Sequence, residues 1–336
     1  MTRSVPATAL TRYLDLAISG EQRPAVRLVL DQFDEGVPAE LLIGELLRAA
    51  QSEVGERWHR GEWSTADEHL VTGVSQASLE ALAATAPAVA AEGLVVVACA
   101  EGDWHSLASQ MFAELLRSSG QGVVYLGAST PAEDVERFIE RRRPDALTIT
   151  CNLALAYVGT ARLSDAAHRH GVPVLAGGRA LTEARAAALG ADAWAPDAAA
   201  GAAILRLWRR DPPAVDRGPV LLDHAALELD ARAVELADLA FDHLAQHFPA
   251  MGGYDDRQRR RTHEDLVYIV RFLAAARLVD DDEVFRTFRA WLERLLAVRE
   301  VPVAAVTAGL DSLVPLLRDV DEHAWRLATS AAGSHA

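Results

Sequence analysis

The segment Glu101-Gly102-Asp103-Trp104-His105-Ser106-Leu107-Ala108 sets a carboxylate and an imidazole on either side of one residue. An imidazole at the end of a strand is a natural metal ligand. Such a histidine commonly hands its other ring nitrogen to a carboxylate, which fixes tautomer and orientation. Taken alone, the same Asp-x-His pair reads more readily as a structural or solvated contact. Other chemistries are closed by composition. All 33 cations are arginine and the chain holds no lysine. There is thus no phosphate-loop lysine, no Schiff-base lysine and no lysine general base. The two cysteines, Cys99 and Cys151, sit in apolar runs and are too few for a disulfide framework or a thiolate metal site.

The elements that must carry the pair come from the apolar pattern. The chain has 336 residues, half of them apolar, and a net charge of −15. It can bury large cores, and without a basic stripe it is not expected to bind nucleic acid directly. No apolar leader and no run of 18 apolar residues is found, so a cytoplasmic protein with no membrane partner is expected. Residues 7–86 read as four helices, punctuated at Pro24, Gly36–Pro38 and Gly61–Ser64, with Ser64 and Asp67 forming a capping-box pattern. Residues 93–210 alternate apolar runs with helical stretches. The runs fall at 94–100, 123–127, 146–151 and 173–177, with a weaker one at 193–195. Continuous β-branched runs of this kind predict a parallel sheet covered on both faces, with ligands bound beyond the strands' carboxyl ends. Residues 211–219 read as a linker and 220–330 as helical again, with GSHA at the end as a loose tail.

The spacing around the pair carries a resemblance. Asp103-x-His105-x-x-Ala108, 41 residues, Thr150-x-Asn152, 24 residues, then Gly177-Gly178 resembles the cobalamin-binding pattern of methionine synthase and its relatives. The resemblance implies His105 as lower axial cobalt ligand in place of the cofactor's own base. It further implies a displaced nucleotide tail passing Trp104, Ser106, Leu107 and Thr150 and lying against the side-chain-free Gly177 and Gly178. Three departures bear on the fit of that tail: Ala108 and Asn152 stand where the pattern has Gly and Leu, and the last spacing is short.

The stretch Trp58-His59-Arg60-Gly61-Glu62-Trp63-Ser64-Thr65-Ala66-Asp67-Glu68-His69 resembles the helical cap of the cobalamin-dependent light-regulated transcription repressors. The resemblance spans about residues 7–210 and does not extend to their helix-turn-helix, for which the chain has no room before the bundle. It implies adenosylcobalamin as cofactor, with Trp58 as a flat lid over the adenosyl group and Glu68 and His69 bonded to its sugar or base. His59 can then approach the upper cobalt face after light has removed the adenosyl group. The plainer alternative is that Trp58 is core and that Glu68 and His69 belong to a solvated first turn.

Domain order extends the resemblance to the photocobilins, in which a cobalamin photoreceptor is followed by a globin-like domain that holds biliverdin. Long amphipathic helices, with Phe285, Phe288, Trp291, Leu292, Leu295 and Leu296 as a stripe, suit such a domain. Arg257, Arg259, Arg260 and Arg261 offer bidentate partners for propionates, and Tyr254, His263 and Tyr268 offer contacts to pyrrole rings. A solvated charge run beside Asp255 and Asp256 is the competing reading. No cysteine follows Cys151, so a bilin here is noncovalent. A heme with a histidine ligand is a further alternative. His243 and His247 have metal spacing but lack an accompanying carboxylate arrangement, so they are expected on a surface helix face.

The expected architecture is α/β plus all-α: a helical bundle cap at 1–90, a doubly wound cobalamin-binding domain at 91–212 and a globin-like helical domain at 219–330. The expected function is a light sensor, not an enzyme, acting as a homodimer on a downstream protein partner. The alternative is a corrinoid carrier of a methyltransferase system, which the Trp58 to His69 motif and the third domain argue against.

Overall fold

A computed structural model describes residues 4–86, 90–299, 301 and 304–333. The first three residues of the expected cap, part of the stretch leading out of it and residues 334–336 of the expected tail lie outside them.

The bundle comprises α1 (Ala9–Ile18), α2 (Gln22–Asp34), α3 (Ala39–Leu41), a π-wound stretch (Leu42–Leu47), α4 (Arg48–His59) and α5 (Thr65–Thr85). The segment from Ala39 to His59 is continuous, as the single predicted third helix requires. The π winding was not legible in the sequence. Leu42, Ile43, Leu46 and Leu47 of that stretch are all buried. Ser64 starts α5 with the expected capping box: its hydroxyl accepts from the Asp67 N–H while the Asp67 carboxylate accepts from the Ser64 N–H. Inside the bundle the buried Tyr13 hydroxyl bonds to Ser75 and Ser78 on α5, which satisfies its polar end.

The second unit is a five-stranded parallel sheet of order β2-β1-β3-β4-β5. Its strands are β1 (Glu92–Cys99), β2 (Gln121–Gly127), β3 (Ala146–Thr150), β4 (Val174–Gly177) and β5 (Ala193–Ala195). Its helices are α6 (Leu107–Ser118), α7 (Ala132–Arg142), α8 (Tyr157–Arg169), α9 (Glu183–Ala188) and α10 (Ala198–Trp208). Val95 and Val97 point into one hydrophobic layer, and Val96 and Ala98 into the other. That is why the strands read as unbroken apolar runs. The strand order reverses between β1 and β3, so the loops leaving these two strands part and open a crevice at the carboxyl edge.

The remaining helices are α11 (His224–Ala231), α12 (Ala233–His247), α13 (Asp256–Leu278), α14 (Glu283–Val298), α15 (Ala304–Leu317) and α16 (Glu322–Ala332). Aspartates start three of them: Asp223, Asp255 and Asp321 each accept from backbone N–H groups of the first turn. These helices share one continuous apolar core with the sheet layer that contains Val96, Leu147 and Ile149. Arg185 on α9 adds an ion pair to Asp281 at 2.8 Å. The linker lies against the sheet unit, the Val220 N–H donating to Asp165. Among the described residues no helix is long and apolar enough to cross a membrane.

Candidate functional site

Asp103 is fully buried at the crevice, and its carboxylate accepts from three donors. His105 Nδ1 lies 2.8 Å from Oδ1, the His105 backbone N–H reaches the same oxygen at 2.9 Å, and the Asn152 N–H reaches Oδ2 at 2.6 Å. One buried carboxylate thus ties the loop after β1 to the loop after β3. Burial alone would raise its pKa, but the hydrogen bonds from His105 and Asn152 outweigh it and hold the group below the usual carboxylate range. The hydrogen bond to Asp103 raises the His105 pKa in turn. The side chain of His105 is 61% exposed while that of Asp103 is 0% exposed. The anchored nitrogen is therefore Nδ1, and Nε2 remains for a ligand beyond the sheet edge.

The rest of the loop is held just as closely. The Asp103 carbonyl accepts from the Ser129 N–H, and the Gly102 N–H donates to the Ser129 hydroxyl. Tyr125 donates to the Ser106 carbonyl at 2.9 Å, and Ser109 donates to the same carbonyl at 2.7 Å. Asn152 takes up a task that Leu could not: its side-chain amide donates to the His105 carbonyl at 3.2 Å, so this departure from the expected pattern adds a brace to the ligand loop. Ala108 is exposed, so its methyl is accommodated without displacing anything.

Thr150 ends β3 beside Gly177, its register partner on β4. Gly178 has φ +108°, and a Cβ there would stand 2.3 Å from the Cys151 carbonyl oxygen. Only glycine suits that backbone. The loop therefore passes β3 as bare main chain, with the Ala180 N–H donating to the Cys151 carbonyl. Leu153 and Trp104 stand exposed at the same edge, Trp104 by 75%.

Glu68, on the first turn of α5, is among the charges that raise the His105 pKa, behind the dominant hydrogen bond from Asp103. Glu68 also accepts from Thr72 and pairs with His69, whose ring is largely exposed. Trp58 donates its indole N–H to Thr65 at 3.3 Å. Both ring nitrogens of His59 are buried and have no hydrogen-bond partner. Unpaired buried nitrogens are costly in a protein interior.

Of the candidates in the C-terminal helices, His263 is occupied: its Nε2 pairs with Asp238 at 2.7 Å and its ring meets Phe241 edge-on. Arg260 is exposed, Tyr268 is 46% exposed and Tyr254 is half-buried just before the capping box of α13. Arg259 donates to the Met251 carbonyl and Arg261 pairs with Glu264. The structure spreads these residues along α13 and does not gather them around one point. His243 and His247 stack on each other on an exposed face, as expected. Sequence reasoning missed Asp265, a carboxyl whose pKa burial pushes up to about 6. It also missed that Trp291 and Arg299, from α14 and just beyond it, reach the cap. Trp291 was legible as the last aromatic ring of an apolar stripe, but periodicity gives no sign of which neighbour that ring meets.

The donor set fits a corrinoid. Among the described residues no group of three His, Cys, Asp or Glu side chains could hold a bare metal ion. A cobalt ringed by a corrin would need few protein donors, and His105, whose side chain is 61% exposed at the sheet edge, would hold it.

Comparison with known proteins bears on the same two units. Residues 93–203 match the family model of the B12 binding domain, and residues 9–83 match a second B12 binding domain model. The chain is 34% identical over 168 residues to the HTH-type transcriptional repressor CarH of Myxococcus xanthus, a match covering 49% of this chain and 56% of the repressor. It is 27% identical over 199 residues to the dimethylamine corrinoid protein of Methanosarcina barkeri, covering 56% of this chain and 92% of that protein. It thus spans little more than half the length of the repressor. The solved structure of the Methanosarcina barkeri monomethylamine corrinoid protein superposes with a TM-score of 0.50 at 21% identity, covering 59% of this chain and 97% of that one. At that identity the likeness is one of fold. Neither CarH nor the corrinoid proteins are named as enzymes.

Proposed function

We propose that this chain, which carries B12 binding domains over residues 9–83 and 93–203, is a light sensor built on adenosylcobalamin. The observation that carries the reading is the braced imidazole: buried Asp103 holds His105 Nδ1 at 2.8 Å and leaves the rest of the ring exposed at the carboxyl edge of the sheet. Adenosylcobalamin supplies a cobalt–carbon bond that visible light breaks. His105 would hold the cobalt through Nε2, while Asp103, bonded to Nδ1, would fix the tautomer and orientation of the ring. Trp58 would offer the broad apolar surface that an adenosyl group needs, and Glu68 and His69 its hydrogen-bond partners. His59, whose ring nitrogens have no protein partner, would offer a second imidazole. The photochemistry belongs to the cofactor, and the protein around it sets the outcome.

The reading extends to the C-terminal helices, where a noncovalent biliverdin held by Tyr254, Arg260, His263 and Tyr268 in a globin-like arrangement would be a second chromophore. The signal would pass to a downstream protein from a homodimer. Its support is the domain order; the absence of any cysteine beyond Cys151 sets only that such a bilin would be noncovalent.

A second reading, a corrinoid carrier for methyl transfer, is favoured by the near-complete coverage of the dimethylamine corrinoid protein. One experiment separates the two. The purified chain is supplied in turn with adenosylcobalamin, methylcobalamin and biliverdin, and absorption spectra are taken before and after illumination. The hydrodynamic state is followed alongside. A sensor retains adenosylcobalamin in the dark and changes its domain arrangement or association when light breaks the bond. A carrier prefers methylcobalamin, and light changes the cofactor's spectrum without changing the protein's state.

A further inference from the structure

The cap does not end at the bundle. Trp291, on α14 of the C-terminal unit, has its ring 6.1 Å from that of Trp58 at an interplanar angle of 20°. The same indole lies 6.1 Å from the His59 imidazole at 22°. Arg299, just beyond the end of α14, stands 5.6 Å over the Trp58 ring. Gly61, at the turn that closes α4, has φ +71°, and a Cβ there would lie 2.4 Å from Val298. The two units therefore meet closely along the end of the Trp58-His59 segment. Behind Trp291 the contact continues into the C-terminal core: Phe288 lies 6.1 Å from it and stacks on Phe272 of α13 at 3.8 Å and 5°.

His59 lies offset and near-parallel to Trp291, with both of its ring nitrogens buried and without a hydrogen-bond partner. The offset, near-parallel geometry is a favourable aromatic arrangement that needs no hydrogen bond.

We propose that Trp291 is a positioning residue of the cap. By stacking on Trp58 and His59 together it parks the imidazole in the dark state, and it makes the C-terminal helices the element that senses movement of either ring. The proposal rests on the light-sensor reading for what His59 does next, but not for the parking itself. When Trp58 shifts, the shared stack on Trp291 is lost, His59 is released, and α14 loses a packing partner in the same event. The cap and the C-terminal unit are then two sides of one two-state contact.

The parking is tested on the full chain without cofactor. Diethyl pyrocarbonate modification of His59, followed by mass spectrometry, should be slow in the native chain and about tenfold faster in Trp291→Ala, the size expected for loss of one well-packed aromatic pair. Trp291→Phe should restore protection. Equal rates in native and Trp291→Ala chains overturn the proposal. The coupling is tested with adenosylcobalamin bound. After a light flash, the spectrum of the final light state should develop about tenfold faster in Trp291→Ala, with Trp291→Phe near the native rate. Unchanged kinetics overturn the gating role. If Trp291→Ala does not fold, Trp291→Leu, which keeps apolar volume without the ring, serves in both assays under the same criteria. Failure of the underlying reading is seen separately: the native chain would then retain no adenosylcobalamin in the dark, or its hydrodynamic state would not change on illumination, whatever the protection of His59.

Discussion

Asp103 concentrates the chemistry of the crevice in one side chain. It is buried, charged and triply hydrogen-bonded, and each bond fixes a different part of the ligand loop. Asp103→Ala removes all three contacts and should weaken cobalamin binding roughly 10–100-fold, as loss of a ligand-orienting partner does elsewhere. Spectroscopic titration measures this, and unchanged affinity would show that His105 needs no orientation. Asp265 supplies a pH prediction of the opposite kind. Its carboxyl holds a proton more tightly in the folded chain than in the unfolded one, with a pKa of about 6, because burial and the neighbouring Glu264 disfavour its charge. The stability tied to that proton is full below the unfolded carboxyl range and is lost as pH rises through about 6. Asp265→Asn should therefore match the native chain near pH 4 and be more stable at pH 8, by on the order of 2 kcal/mol. Chemical denaturation at the two pH values checks it. At this scale the Asp-x-His pair was legible because its spacing is local. Asn152 and Trp291 were legible as members of a motif and a stripe, but what they meet was not, because their partners lie on other elements; Asp265 was missed.

Elements place these residues through their ends. The Ser64–Asp67 box fixes the first turn of α5, the turn that carries Glu68. Ser64→Ala should cost about 1 kcal/mol of stability, read as a fall in the denaturation midpoint. It should also loosen the turn enough to show as faster hydrogen exchange over the start of α5. Equal exchange would show that packing against α6 holds the turn without its cap. Gly178 limits the loop after β4 in the same way. Gly178→Ala sets a methyl against the Cys151 carbonyl in a backbone conformation that disfavours any side chain. It should destabilise the chain by about 2 kcal/mol or more. The strands were legible as continuous β-branched runs, and their predicted bounds differ from the observed ones by at most two residues. The π-wound stretch from Leu42 to Leu47 was not legible, since its apolar pattern suits ordinary helix equally well.

On the scale of the whole molecule, the C-terminal helices and the sheet unit share a core. Val96, Leu147 and Ile149 belong to the same apolar cluster as Leu273, Phe285 and Leu313. The composition and the 211–219 stretch predicted a linker between separate units, yet no sequence pattern shows that two amphipathic faces will be buried against each other. A chain ending at residue 218 should expose that face and should aggregate or melt at least roughly 10 °C lower. A truncated chain with unchanged melting would mean that the shared core adds nothing. The same packing puts the C-terminal unit in contact with both sides of the crevice. Arg185, paired with Asp281, also donates to the Ala180 carbonyl in the loop after Gly178, while Trp291 reaches the cap.

The whole reading of the crevice depends on a protein imidazole, that of His105, being the lower ligand of cobalt. Electron paramagnetic resonance of the bound cobalt(II) corrinoid, with the chain labelled uniformly with 15N-histidine, tests this without intermediaries, because the splitting reports the nuclear spin of the axial nitrogen. The triplet splitting given by unlabelled protein should become a doublet on labelling, and His105→Ala should lose this response. A triplet that persists in the labelled protein would show the corrinoid's own base still on the metal, and His105 would not be the ligand.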